Sequence, residues 1–191
     1  ECYDGEWGGV ILNPVGARRP NWDLWREMRS DVDYRSFATS LVQVKSQTDP
    51  FFEQSARIIA EELFRKLAQI GRATNQAVYD AAAKLTLQEL FELLKGTSGA
   101  NLIDPAGERT ALSVRSAFLN AMNAFRYLHD DGEAFSIREW VENDSADSWL
   151  FIPSRADYHE AVKPLITLWL EIATRGVMHL PPIREPRFWL V

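Results

Sequence analysis

The stretch "SWLFIPSR", residues 148–155, is an apolar run that leads straight into a serine and an arginine, and the helix-like "ADYHEAVKPLITLWLEIA", residues 156–173, follows at once. Strand, short polar turn and helix form the unit with which α/β enzymes present groups to a phosphate at the carboxyl end of a strand. Here the unit arrives without a glycine-rich loop and after more than a hundred residues of helical character. On the other side of that helical stretch, "EWGGVILNP" (6–14) reads as a second short strand, with Val10, Ile11 and Leu12 as its apolar run and Pro14 as its stop. The closing "RFWLV" reads as the start of a third.

Between the first two strands the signals are those of helices. "NWDLWREMRS" (21–30) predicts a short helix capped by Asn21, with Trp22 and Trp25 three apart. Asp49-Pro50 opens the clearest helix, in which Phe52, Ala56, Ile59, Leu63, Leu67 and Ile70 make one apolar stripe and Gly71 is the stop. Its polar side offers Arg57–Glu61, Glu61–Arg65 and Glu62–Lys66, each four apart, as ordinary surface pairs. A further helix is expected over about 75–84. Thr86 and Glu89 make a capping box for the next, which Gly96 closes. Asp104-Pro105 predicts the start of a long helix striped by Val114, Phe118, Ala121, Phe125 and Leu128. "DDGEAF" (130–135) reads as a turn, and Ser136 with Glu139 suggests a second capping box before a short helix.

The expected organisation is mainly α: a helical bundle over 35–147, flanked by 1–34 and 148–191, whose strands are too few to make a stable sheet alone. The simplest arrangement is an all-helical insertion between two strands of one α/β domain that is only partly represented. The chain opens at Glu1 and closes within a strand-like run, and the expectation is a segment of a longer protein.

The 191 residues include 46% hydrophobic and 25% charged residues, enough for a core and unlike a disordered chain. Cys2 is the single cysteine, so no intramolecular disulfide forms, which fits a reducing compartment. His129, His159 and His179 are far apart and show no metal-ligand spacing. No apolar run approaches the roughly 20 residues that span a bilayer, so an anchor is expected only on a longer parent. The net charge of -6 argues against tight nonspecific binding of nucleic acid. Nearly all of it comes from 96–148, where Arg109, Arg115, Arg126 and Arg138 face Asp104, Glu108, Asp130, Asp131, Glu133, Glu139, Glu142, Asp144 and Asp147. Such a segment is either a solvated face or a docking face for a basic partner.

No GxxxxGK[ST], GxSxG, HExxH or CxxC motif occurs, so a triphosphate has no standard phosphate loop here and no catalytic residue can be picked. Ser154 and Arg155 are the polar candidates at a strand end, where a guanidinium meets a phosphate or the next subunit or, alternatively, pairs with a neighbouring carboxylate such as Asp157 or caps a loop. Trp22, Trp25, Trp149, Trp169 and Trp189 sit at core spacing beside aliphatics, which favours packing over a stacking platform for bases.

Six stretches in order, "VILNPVGARRPNWDLWREMRSDVDY", "DPFFEQSAR", "TALSVRSAF", "FSIREWV", "SRADYHEAVKPLITLWLEIA" and "LPPIREPRFWLV", strongly resemble the cytoplasmic region of type IV secretion coupling proteins, the conjugative motors of TraD/TrwB type. The resemblance covers essentially the whole chain. It implies an all-α domain inserted in a RecA-like nucleotide-binding domain, with a phosphate loop upstream of Glu1 and an acidic strand-end motif after Val191. It also implies a parent that is a hexameric, inner-membrane-anchored ATPase using ATP and Mg, with neither bound by this segment. Such a parent links a relaxase–DNA complex to the secretion channel. The segment's role is then recognition of relaxosome proteins on the cytoplasmic side of the membrane. The alternative is direct DNA contact, for which Arg57, Arg65, Lys66 and Arg72 are the candidates. A standalone helical scaffold is the third reading.

Overall fold

The computed structural model describes residues 9–16, 20–44, 50–143 and 148–181. The cap role of Asp49, the charges of Asp144 and Asp147, the terminal strand with Trp189, and Cys2 lie outside them.

The strand read from residues 148–155 is β4, Trp149–Phe151, and its partner is β1, Gly9–Ile11. They pair in parallel, with Val10 opposite Leu150, and Leu12 N–H extends the ladder by donating to the Phe151 carbonyl at 2.8 Å. The helical stretch therefore leaves from one strand and returns through its immediate neighbour. A second parallel pair lies further in, between β2, Asn21–Trp22, and β3, Ala134–Phe135.

The helices are α1, Leu24–Glu27; α2, Asp31–Leu41; α3, Phe51–Gln69; α4, Asn75–Ala83; α5, Leu87–Leu93; α6, Ser98–Leu102; α7, Glu108–Met122; α8, Ile137–Glu142; and α9, His159–His179. α3 is central: its stripe of Ala56, Ile59, Leu63 and Leu67 is fully buried, and α2, α6 and α7 pack against it. Gly71 ends it with φ +69°, a conformation that a side chain disfavours. The Thr86–Glu89 box closes in both directions, with Thr86 N–H donating to Glu89 at 2.7 Å and Glu89 N–H to Thr86 Oγ1 at 3.2 Å.

Several local expectations shift. Asp23 caps α1 by accepting from Trp25 N–H at 2.9 Å, while Asn21 is held in β2, because that strand runs to Trp22 before the chain turns. Asp104 caps a 3-10 turn, Pro105–Gly107, and α7 starts after it. The turn at 130–135 passes through Gly132 at φ +81° and ends in β3. Ser136 accepts from Glu139 N–H at 3.2 Å, but Glu139 gives its carboxylate to Arg26, so the box stays half-made.

One buried cluster runs through the whole body. It joins Leu12, Trp22 and Leu24 near the start, Phe64, Phe118 and Phe125 in the bundle, and Leu165, Leu168, Trp169 and Ile172 on α9. Trp22 and Trp169 meet edge to face with ring centroids 5.6 Å apart. Trp25 likewise meets Phe64 at 6.4 Å. Trp149 instead stacks on Phe151 at 6.2 Å and is half exposed.

Candidate nucleic-acid interface

A surface that holds a polyanion needs cations that are not already neutralised. The α3 candidates meet that test unevenly. Arg57 donates through Nε to the Val42 carbonyl at 2.8 Å and so ties α3 to the end of α2. Arg65 is held by Asp31 at 3.0 Å, Glu61 at 3.1 Å and Glu62 at 3.2 Å, and lies over the Tyr34 ring. Of the three pairs expected along α3, only Glu61–Arg65 forms in that register; Glu62 takes Arg65 and Ser98. The side chains of Lys66 and Arg72, the latter exposed, make no hydrogen bond or ion pair among the described residues.

At the strand end, Ser154 Oγ lies 2.6 Å from His159 Nδ1, and Arg155 pairs with Asp157 at 3.0 Å and lies over the Tyr158 ring. The second of the two readings of Arg155, pairing with Asp157, describes its position. Among the described residues no cluster of three His, Cys, Asp or Glu side chains that could hold a metal ion occurs. No step of a nucleotide reaction is assigned to this chain.

Four carboxylates of the acidic segment are engaged at the surface of the fold. Asp130 accepts from Asn75 and Gln76 N–H at 2.8 and 2.9 Å, at the start of α4. Asp104 caps the 3-10 turn, Glu139 pairs with Arg26 and Glu142 with Arg29. Glu108, Asp131 and Glu133 remain exposed.

Two buried carboxylates fasten α8. Glu27 is fully buried, and its two oxygens accept four hydrogen bonds, from Trp22 Nε1, Ile137 N–H, Ser136 Oγ and Arg138 N–H, at 2.5–3.2 Å. Burial pushes its carboxyl above the usual range, against the pull of those donors. Asp33 receives both guanidinium nitrogens of Arg138, at 2.6 and 3.2 Å, with Arg29 and Ser30 N–H at 3.0 and 2.9 Å. Burial alone would raise Asp33; the Arg138 bonds, the Arg29 N–H and the Ser30 hydroxyl outweigh it and hold the carboxyl at about 2.

A folded pKa below the ordinary 3.8 means that Asp33 contributes stability above about pH 4 and loses it as the pH falls toward 2. The contribution is roughly 2 kcal/mol. Chemical denaturation across that window is expected to show a steep loss that Asp33→Asn flattens; an unchanged slope after Asp33→Asn would remove this pair from the account.

The cavity that sequence reading missed lies between α2 and α9, an open groove of about 400 Å3. Arg35, Ser36, Thr39 and Gln43 line it from α2 and its C-terminal end, and Thr167, Glu171 and Arg175 from α9. Gln43 Nε2 bridges the two walls to Thr167 Oγ1 at 3.3 Å. Glu171 is neutralised by Arg175 at 2.5 Å and by a short bond from Ser40 Oγ. The Arg35 side chain is exposed and makes no hydrogen bond or ion pair among the described residues; its carbonyl accepts from Thr39 Oγ1 at 2.9 Å. The signal for this wall was present: Arg35, Thr39, Gln43 and Thr167, Glu171, Arg175 each recur every four residues, on one face of a helix.

Comparison with known proteins gives the arrangement its relatives. The family described as the type IV secretion-system coupling protein DNA-binding domain matches residues 1–191. Coupling protein TraD of Escherichia coli (strain K12) is 35% identical over 185 residues, which cover 94% of this chain and 26% of TraD. The unbound monoclinic form of the bacterial conjugative coupling protein TrwBdeltaN70 superposes with a TM-score of 0.80 at 27% identity, over 94% of this chain and 42% of that one. TrwB in complex with ADP and Mg2+ matches equally, at a TM-score of 0.80 and 27% identity, over 94% of this chain and 43% of that one. The chain thus spans about a quarter of TraD and less than half of the TrwB chains. A mainly helical body hung from adjacent parallel strands and matched from end to end belongs to the type IV secretion-system coupling protein DNA-binding domain family.

Proposed function

We propose that the chain is the helical recognition region of a conjugative coupling ATPase and that it contacts the DNA being transferred. The observation that carries this reading is the family match over every residue, 1–191, to a domain described as DNA-binding. The Glu139–Arg26 and Glu142–Arg29 ion pairs offset part of the acidic segment's charge. In this reading the helices form an insertion, over 35–147, in a RecA-like domain whose nucleotide site lies elsewhere in the parent. The TrwB structure with ADP and Mg2+ supports a nucleotide-using parent. The hexamer, the inner-membrane anchor and delivery of relaxase–DNA to a type IV secretion channel belong to the same proposal. Recognition of a basic relaxosome protein is the second reading, and the still-exposed Glu108, Asp131 and Glu133 favour it.

The test is a fluorescence titration of the chain with labelled single-stranded and duplex DNA at two salt concentrations. Binding that weakens steeply with salt is expected, since counterions are released from each contacted phosphate. No binding at low salt contradicts the DNA reading. The chain alone is expected to hydrolyse no ATP, with or without DNA, and measured turnover would place the nucleotide site within it.

A further inference from the structure

Resting on the DNA reading just given, we infer that the groove between α2 and α9 is the surface that holds the phosphate backbone of a DNA strand. Its lining is rich in donors: the Arg35 and Arg175 guanidinium groups, the Ser36 and Thr167 hydroxyls and the Gln43 amide. These are the groups that contact phosphate oxygens without reading sequence. The single carboxylate in the lining, Glu171, has one oxygen on Arg175 and the other on Ser40, so it presents little free negative charge. Asp31, one turn before Arg35, shares Arg65 with Glu61 and Glu62. The lining itself, with Arg35, Arg175 and Glu171, carries a surplus of one positive charge on a chain of net charge -6.

The alternatives on the page are weaker. Arg57 and Arg65 on α3 are committed to a carbonyl and to three carboxylates. Lys66 and Arg72 are uncommitted, but neither lines this groove. Arg35 combines both properties, its side chain being free of partners among the described residues and lining a groove of about 400 Å3. Bonding between walls, through Gln43 and Thr167, fixes their spacing before a ligand arrives.

Arg35→Glu and Ser36→Asp, each in the full chain, test the assignment with a fluorescein-labelled oligothymidylate of about 20 nucleotides, titrated at about 50 and about 200 mM salt. Each variant is expected to lose at least about tenfold in affinity at the lower salt, and Arg35→Ala to flatten the logarithmic salt slope by about 0.7, one phosphate contact on a single strand. Lys66→Glu with Arg72→Glu serves as the comparison and is expected to bind nearly as the parent chain does. The exposed Arg35 side chain makes no hydrogen bond or ion pair among the described residues, so thermal unfolding should coincide for Arg35→Glu and the parent chain. If the parent chain binds and the groove variants bind equally well, the groove is wrong while the DNA reading stands. A loss confined to the Lys66 and Arg72 variant would move the contact to α3. If the parent chain does not bind, the DNA reading falls and takes the groove with it.

Discussion

Replacing Glu27 by alanine is expected to destabilise the fold by about 3–5 kcal/mol, measured as a shift in the urea midpoint at constant slope. The carboxylate occupies a fully buried position and uses all of its acceptor capacity: Oε1 takes Trp22 Nε1 and Ile137 N–H, and Oε2 takes Ser136 Oγ and Arg138 N–H. Alanine leaves these four donors without partners and opens a cavity beside them. Glutamine is the sharper comparison, because it keeps the volume and replaces one oxygen with an NH2 group that faces two donors. A cost of about 2–3 kcal/mol is expected for Glu27→Gln. The pH dependence has the opposite sign to that of Asp33. A carboxyl raised by burial binds its proton more tightly in the folded state. Its contribution is therefore complete below the ordinary 4.5 and is lost as the pH rises through the folded value. If Glu27→Gln were as stable as the parent chain, the four-donor arrangement would not be what fixes α8.

The second large effect is at Trp169. Trp169→Ala is expected to cost about 3–5 kcal/mol, the range for truncating a buried large aromatic. Its ring is buried and meets Trp22 edge to face at 5.6 Å, so it joins α9 to β2. The loss should therefore reach beyond α9 and weaken the hold on the first strands. Trp169→Phe keeps part of the contact and should cost less than half as much. Near-equal stability of Trp169→Ala and the parent chain, by denaturant melts, would mean that α9 is held by other contacts.

Legibility in the sequence followed the range of the forces involved. α3 and α5 could be read because a stop glycine and an apolar stripe or a capping box are local signals, all within one helix. β4 could be read because its apolar run ends abruptly at Pro153-Ser154-Arg155. β3 could not, since the two residues Ala134 and Phe135 are a strand only because Asn21 and Trp22 lie alongside them. α2 escaped because "DVDYRSFATSL" is rich in Asp, Ser and Thr, which favour caps and turns over helix interiors. Its anchors are distant: Arg138 reaches Asp33, and Ser40 bonds Glu171. The candidate site suffered from the same limit. Arg57 and Arg65 look available in sequence and are occupied in space, whereas the four-residue recurrence of Arg35, Thr39 and Gln43 marks a groove wall only once α9 supplies the facing one. Charge counting likewise cannot see that Asp130 sits on the first turn of α4.

The groove belongs to both the helical block and the segment after β4, so the functional reading depends on the two folding as one body. Native-state hydrogen exchange tests this at two amides, Leu12 N–H on the Phe151 carbonyl and Asp23 N–H on the Phe135 carbonyl. Both amides are expected to exchange with the same free energy and the same denaturant dependence as the buried turns of α3, as in one cooperative unit. Exchange of Leu12 and Asp23 at near-unprotected rates, while α3 stays protected, would separate the flanking strands from the bundle and contradict the account.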